Sequence, residues 1–367
     1  DPRDNRQPQT QSYSFTIAQR LPYTSLFEVA YVGNKSDYLS NWNNNLGSIN
    51  ALPQGTLFKI PGFFTTNGAS PSAGATDALR PFSLYGGSNG GIKQINHQAY
   101  SNYNALQASW NKQSGHINFL INYTFSKALG IRGEGGGPGG LDPLILANDY
   151  GVLPNDRTQI FNIAYVIEIP RLGTHNRFLS GAANGWKVSG ISQFQSGVNL
   201  QASVSTNFNL SYNLPAGTVL PEGTVLSSST GLNSSIITGS PDYGILPVLT
   251  CDPRKGLQTN QFINGNCFAP PTPGHNGSLI MPYLRGPAFF NQDVSLFKDF
   301  AISEHQRLQF RFSGYNFLNH PLTSFISGDN NFNLSFNNAG QLSNPRFGYA
   351  DWKIGHRIIQ LAVKYNF

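Results

Sequence analysis

The sequence predicts an all-β protein whose strands form part of an antiparallel transmembrane β-barrel, about nine strands of a larger barrel with long extracellular loops. Three observations carry this. Charged residues make up only 11% of the 367 positions while aromatics reach 13%, including 26 Phe and 16 Tyr. Soluble domains carry about a quarter charged residues. Apolar residues recur with period two in segment after segment, and short and long connections alternate along the chain.

Taken in order, Tyr13, Phe15 and Ile17 alternate with Ser12, Ser14 and Thr16, and Phe27, Val29 and Tyr31 follow the Leu21-Pro22 turn. Leu106, Ala108 and Trp110 precede the Gln113-Ser114-Gly115 turn. The clearest strand spans His116 to Lys127, with Ile117, Phe119, Ile121, Tyr123 and Phe125 on one face and Asn118, Leu120, Asn122, Thr124 and Ser126 on the other. Phe161, Ile163, Tyr165, Ile167 and Ile169 form the apolar face of the next. The segment from Trp186 to Ser196 is broken by glycine and its facing is open. Phe290, Val294 and Leu296, then Leu308, Phe310 and Phe312, mark two more strands, and Ile359, Leu361, Val363, Tyr365 and Phe367 close the chain. Each segment is near the ~10 residues that a tilted membrane strand requires. No apolar run reaches the length of a membrane helix, which leaves a barrel possible because its backbone hydrogen bonds close between strands.

Short connections follow Leu21, Lys112 and Phe300, and a medium one follows Ile169. Long ones span residues 34–95, 129–157, 198–286 and 321–351. Loops beyond ~15 residues are uncommon in compact domains, but alternating short and long connections is the arrangement of outer-membrane barrels, with the short turns periplasmic. Charge placement agrees. Glu28, Glu168, Lys187, Asp293, Arg307, Arg311 and Lys364 fall on the polar face, whereas Lys112, Lys127, Lys298 and Arg357 share parity with the apolar face near strand ends. A cation there costs ~2–4 kcal/mol at mid-bilayer and ~0–1 near the interface.

Other chemistries find little support. The net charge of +6 is spread without a basic run, so no nucleic-acid partner is expected. The seven histidines are isolated in sequence, no nucleophile elbow or paired catalytic carboxylates stand out, and no enzyme activity, cofactor or metal is expected. The Gly133–Gly140 run lacks the Lys-Ser/Thr end of a phosphate loop and reads as a flexible loop. Cys251 and Cys267, in a polar loop, suit a disulfide in an oxidising compartment. Loop aromatics (Tyr38, Trp42, Phe63, Phe64, Tyr85, Phe208, Tyr212, Tyr243, Phe262, Phe325 and Phe332) suit either sugars, peptides and planar chelates or the packing of the loops on themselves. The terminal alternation of Ile359, Leu361, Val363, Tyr365 and Phe367 reads as the strand signal by which barrel proteins are presented to the barrel-assembly machinery.

Several blocks carry a family pattern: Tyr103-Asn104-Ala105-Leu106-Gln107, Tyr123-Thr124-Phe125-Ser126-Lys127-Ala128, Asn155-Asp156-Arg157, Gly185-Trp186, Phe194-Gln195-Ser196-Gly197, Arg285-Gly286-Pro287, and Tyr315-Asn316-Phe317-Leu318-Asn319-His320-Pro321. In this order they resemble the C-terminal barrel portion of TonB-dependent receptors of the Oar-like type. The segment Ser313-Gly314-Tyr315 departs from that pattern, which has an acidic residue and a further aromatic there. The resemblance implies that residues 1–367 are the C-terminal part of a longer barrel whose plug and N-terminal domains lie outside this sequence. It implies a receptor in the outer membrane of a Gram-negative-type bacterium that imports a large or scarce ligand. Its partners would be outer-membrane lipid and lipopolysaccharide, the TonB complex acting through the N-terminal region, and an imported ligand of unknown identity. Asn118, Asn122, Gln309, Arg311 and Gln360 would face the lumen. A passive porin or adhesive surface barrel, and a soluble secreted glycan-binding β-protein, are the alternatives.

Overall fold

A computed structural model describes the chain except residues 1–5, 41–48, 86–91, 93–96, 132–141, 143, 154, 171–172, 174–176, 201–209, 278–282, 304–305 and 326–329. Its first seven strands are β1 (Gln9–Leu21), β2 (Ser25–Ser40), β3 (His97–Lys112), β4 (Ile117–Ile131), β5 (Tyr150–Val152), β6 (Gln159–Glu168) and β7 (Trp186–Gln195). Four two-residue strands follow in the long connection: β8 (Asn213–Leu214), β9 (Thr230–Gly231), β10 (Val248–Leu249) and β11 (Phe268–Ala269). The rest are β12 (Phe289–Ala301), β13 (Arg307–Tyr315), β14 (Leu322–Ser324), β15 (Trp352–Ile354) and β16 (Ile358–Asn366). Short helices α1 (Ala73–Asp77), α2 (Arg177–Ala183) and α3 (Ser234–Thr238) lie between them.

The principal sheet runs β1-β2-β3-β4-β6-β7-β12-β13-β16, with β5 beside β4. The nine path strands are those expected, all antiparallel, and β1 and β16 form two open edges. Two of these pairings, β1 with β2 and β3 with β4, close through tight turns. Tyr23 and Thr24 both take positive φ in the β1–β2 turn, and Gly115 does so between β3 and β4.

Register fixes facing. One row of cross-strand partners reads Ile17, Val29, Ala108, Tyr123, Phe161, Phe194 and Phe290, apolar on every strand it crosses. The adjacent row reads Ala18, Glu28, Ser109, Asn122, Asn162, Gln193 and Asn291. Because side chains alternate, the two rows lie on opposite faces. The facing left open for β7 is thereby settled: Trp186, Val188 and Phe194 join the apolar face, and Lys187, Ser189 and Gln193 the polar one. Gly190 stands on the apolar face where a Cβ would fall 2.5 Å from the Tyr165 hydroxyl, so the tyrosine takes the space that a side chain would need.

The apolar face is not a protein interior. Leu361 is 77% exposed and Phe15 68%, and none of Phe119, Ile121 and Ile163 is buried. The largest fully buried side chains, among them Leu52, Leu57, Ile236, Ile263, Leu334 and Phe347, all belong to the long connections. One cluster joins residues 52–64 to residues 214–237, and a second joins residues 200–284 to residues 334–347. Tyr212 packs against both. The loops therefore form a folded cap at one end of the sheet, and the sheet itself carries a greasy outer surface.

β2 and β3 extend beyond their predicted ends, to Ser40 and back to His97. Toward the cap both faces become polar (Asn34, Ser36, Asn102, Asn104), so alternation no longer marks the strand. The hydroxyls of Tyr13 and Tyr31 both donate to the Asn104 carbonyl oxygen at 2.8 Å, which satisfies that acceptor on the otherwise apolar face. α2 was not anticipated in the medium connection before Trp186.

Candidate functional site

The polar face holds two recesses. One, of about 520 Å³, is lined by Asn118, Leu120, Ala164, Ser189, Ile191, Asp293 and Ser295. The other, of about 430 Å³, is lined by Ser14, Thr16, Glu28, Gln107, Ser109, Asn122 and Thr124. Small, hydroxyl- and amide-bearing residues share these linings with Leu120 and Ile191. Among the residues expected to face the lumen, Asn118 and Asn122 line these recesses. Gln309 and Arg311 share the polar face by register with Asp299 and Phe297, and Gln360 lies opposite Ser313. Gln309 Nε2 donates to Asp299 Oδ1 at 2.9 Å, and the Arg311 guanidinium lies 4.7 Å from the Phe297 ring centre, a cation–π contact. Lys187 and Glu168 pair at 3.0 Å at the short-turn end.

The sequence blocks that carry the family pattern, apart from Gly185-Trp186 at the short-turn end, assemble the rim between wall and cap. Asp156 is 1% exposed. Its carboxylate accepts from the Ala128 amide at 2.7 Å and from the Tyr283 hydroxyl at 2.7 Å. Burial, followed by that bond to Asp156, raises the Tyr283 pKa. The Lys127 ammonium and the Arg285 guanidinium lie 3.8 and 5.0 Å from the centre of the Tyr283 ring. At Gly197 a Cβ would fall 1.8 Å from the Gly286 carbonyl oxygen, so only glycine lets these two segments touch. Asn316, at φ 46°, donates through Nδ2 to the carbonyls of His320 and Gly355 and accepts the His320 amide, all at 3.0 Å. Its own amide donates to Asp293 Oδ1 at 2.9 Å, tying the rim to the wall.

In the cap, Arg80 and Asp242 form a pair with side chains 2% and 5% exposed. Arg80 also donates to Asp77 at 2.8 Å and to the Asn50 carbonyl at 2.9 Å, and Asp242 accepts the Leu52 amide at 2.7 Å. Burial opposes the Arg80 charge, but these bonds outweigh it and raise its pKa. Nothing in local sequence marks this pair, because its members come from different loops. Cys251 and Cys267 are joined in a disulfide. Of the loop aromatics, Phe63 and Phe64 are core residues, and Tyr212, Phe262, Phe325 and Phe332 pack against the two cores. Their rings are engaged in packing. Tyr85, 68% exposed, keeps an open face. Trp42, Phe208, His175, His305 and the Gly133–Gly140 run lie outside the described residues. Among the described residues, no group of three or more His, Cys, Asp or Glu is placed to hold a metal.

The terminal residues Ile359, Leu361, Val363 and Tyr365 lie on the apolar face of β16, with Phe367 one residue past its end. Lys298, expected near a strand end, sits three residues inside β12 and is covered: its ammonium donates to the carbonyls of Gly181 (2.6 Å), Ala182 (2.9 Å) and Asn184 at the C-terminal end of α2. The Trp186 indole donates to the Ala182 carbonyl at 2.8 Å.

Among solved structures, the chain is similar to the ferric-catecholate import receptor Fiu from E. coli K12, in its closed form, at 8% identity and TM-score 0.39 over 98% of this chain and 27% of that one. It is also similar to the outer membrane transporter YddB from Escherichia coli, at 10% identity and TM-score 0.38 over 98% of this chain and 32% of that one. The chain thus spans about a third or less of the length of these proteins. No curated protein matches it. Residues 1–360 match the outer membrane β-barrel domain. With one face apolar and exposed across nine strands and the other polar, the chain belongs to the outer membrane β-barrel domain family and resides in the outer membrane of a Gram-negative-type bacterium.

Proposed function

We propose that this chain supplies the wall and extracellular cap of a TonB-dependent importer of the Oar-like type, without catalytic activity of its own. The observation that carries the reading is the cap. Its loops are packed around two apolar cores and joined by a buried ion pair. A preorganised surface loses less entropy on capturing a ligand than free loops do, which suits recognition of a scarce solute. The ordered family blocks support the same assignment, since all but Gly185-Trp186 build the rim where cap meets wall. The polar wall would then line the passage. The short turns would face the periplasm, toward TonB acting through an N-terminal region.

The protein expressed from its gene, reconstituted in a planar bilayer, should show no stable open-pore conductance, because an importer's lumen is occupied. Deleting the gene should impair growth on one limiting large nutrient, and removing TonB should reproduce that defect. A steady ohmic conductance with TonB-independent uptake would overturn the reading in favour of a passive porin. Adhesion without uptake would favour a surface barrel.

A further inference from the structure

We propose that the groove between α2 and the outer surface of β12, β13 and β16 is a seat for an acyl chain of a phospholipid in the periplasmic leaflet. The groove has a volume of about 1380 Å³, and Leu296, Phe300, Phe310, Phe312, Leu361 and Val363 form its floor. Those residues are cross-strand neighbours: Leu296 opposes Phe312, which opposes Leu361, and Phe310 opposes Val363. All lie on the apolar face, so the groove is continuous with the lipid-facing belt, and hydrocarbon is what covers it. Its other wall is Gly181 and Ala182 of α2, two residues too small to fill the space that they enclose.

The groove exists because α2 lies over the membrane face instead of standing out in solvent. Two contacts hold it there. The Lys298 ammonium closes the helix's C-terminal carbonyls, where a cation is favoured. The Trp186 indole takes the Ala182 carbonyl, in the amphipathic position that tryptophan favours at a membrane interface. With these C-terminal carbonyls satisfied, that end of α2 can approach the hydrocarbon boundary at lower cost. The end of the sheet that it covers carries the short β12–β13 turn, which sets the leaflet as periplasmic. Chain recognition of this kind scales with the methylenes buried.

The test is native mass spectrometry of the protein extracted from outer membranes in mild detergent. The wild type should retain one phospholipid. Gly181→Leu with Ala182→Phe, which fills the groove, should lower its occupancy roughly tenfold, the equivalent of losing about two buried methylenes. Phe161→Leu, in the belt away from the groove, should leave it unchanged. Should the filled variant fail to fold, a protein in which every tryptophan except Trp186 is replaced by Phe, Trp42, Trp110 and Trp352 included, is reconstituted with phospholipid carrying dibrominated acyl chains. Strong quenching that is competed only by chains long enough to fill the groove supports the seat. Absence of retained lipid, equal loss in both variants, retention of lipopolysaccharide in its place, or unquenched Trp186 fluorescence overturns it. None of these readouts depends on import, so the seat and the importer reading fail separately.

Discussion

Arg80 and Asp242, 162 residues apart in sequence, meet through two hydrogen bonds of 2.6 and 3.1 Å inside the loop cap. Removing one partner of a buried pair strands the other charge, at about 3–5 kcal/mol. Arg80→Ala should therefore open the cap to protease at residues 49–85 and 210–277 while the sheet keeps its heat-modifiable migration on gels. Arg80→Met with Asp242→Leu should recover much of the loss. Equal protease resistance in Arg80→Ala and the wild type would show that the pair does not hold the cap.

Neighbouring positions on β6 should respond oppositely to the same charge. Ile163 lies on the apolar face and Asn162 on the polar one. Ile163→Lys should lose ~2–4 kcal/mol of folding stability in lipid vesicles and Asn162→Lys little, as read from urea titrations. The reverse order would mean that the faces have been exchanged.

At Lys298, methionine would keep the stem but withdraw the donor from the α2 carbonyls. Unsatisfied buried acceptors cost about 1–3 kcal/mol. Lys298→Met should speed hydrogen exchange in residues 177–186 with little change in β1 to β4.

Asp252, held by Arg254 through hydrogen bonds of 2.9 Å, has its pKa lowered to about 2 from 3.8. A depressed folded value means that the contribution is complete above the unfolded pKa and disappears as pH falls through about 2. The Asp252 carboxyl resonance should stay that of the ionised form at pH 4 and move only in stronger acid. Arg254→Ala should bring its titration midpoint up toward 3.8.

Deleting Phe367 removes the aromatic end of the alternation that we assign to barrel assembly. The folded fraction in outer membranes should fall while refolding of purified protein into detergent is retained. A fall in both would make the residue structural instead of a signal.

The wall was legible because one solvent boundary runs along each strand and writes itself at period two: His116 to Lys127 and Ile359 to Phe367 were readable residue by residue. Where both faces are wet, as at Asn34 and Asn102, the writing stops and the strand ends were lost. The cap was illegible for a different reason. Leu52 shares a core with Ile236 and Arg80 meets Asp242 through tertiary closure of separate loops, and no local period records such meetings. α2 was hidden in a medium connection, although Lys298 on the apolar face was the signal that something had to cover it. The family blocks were visible as motifs, but their work, such as Gly197 admitting the Gly286 carbonyl, needed the third dimension.

The protein thus keeps two independent accounts with its surroundings. Polypeptide packs against polypeptide in the cap under ordinary aqueous rules, while the staves below are finished by lipid. On the proposed import reading, variation among the loops would retune ligand capture without disturbing insertion. Heating should strip the cap first and leave the staves standing.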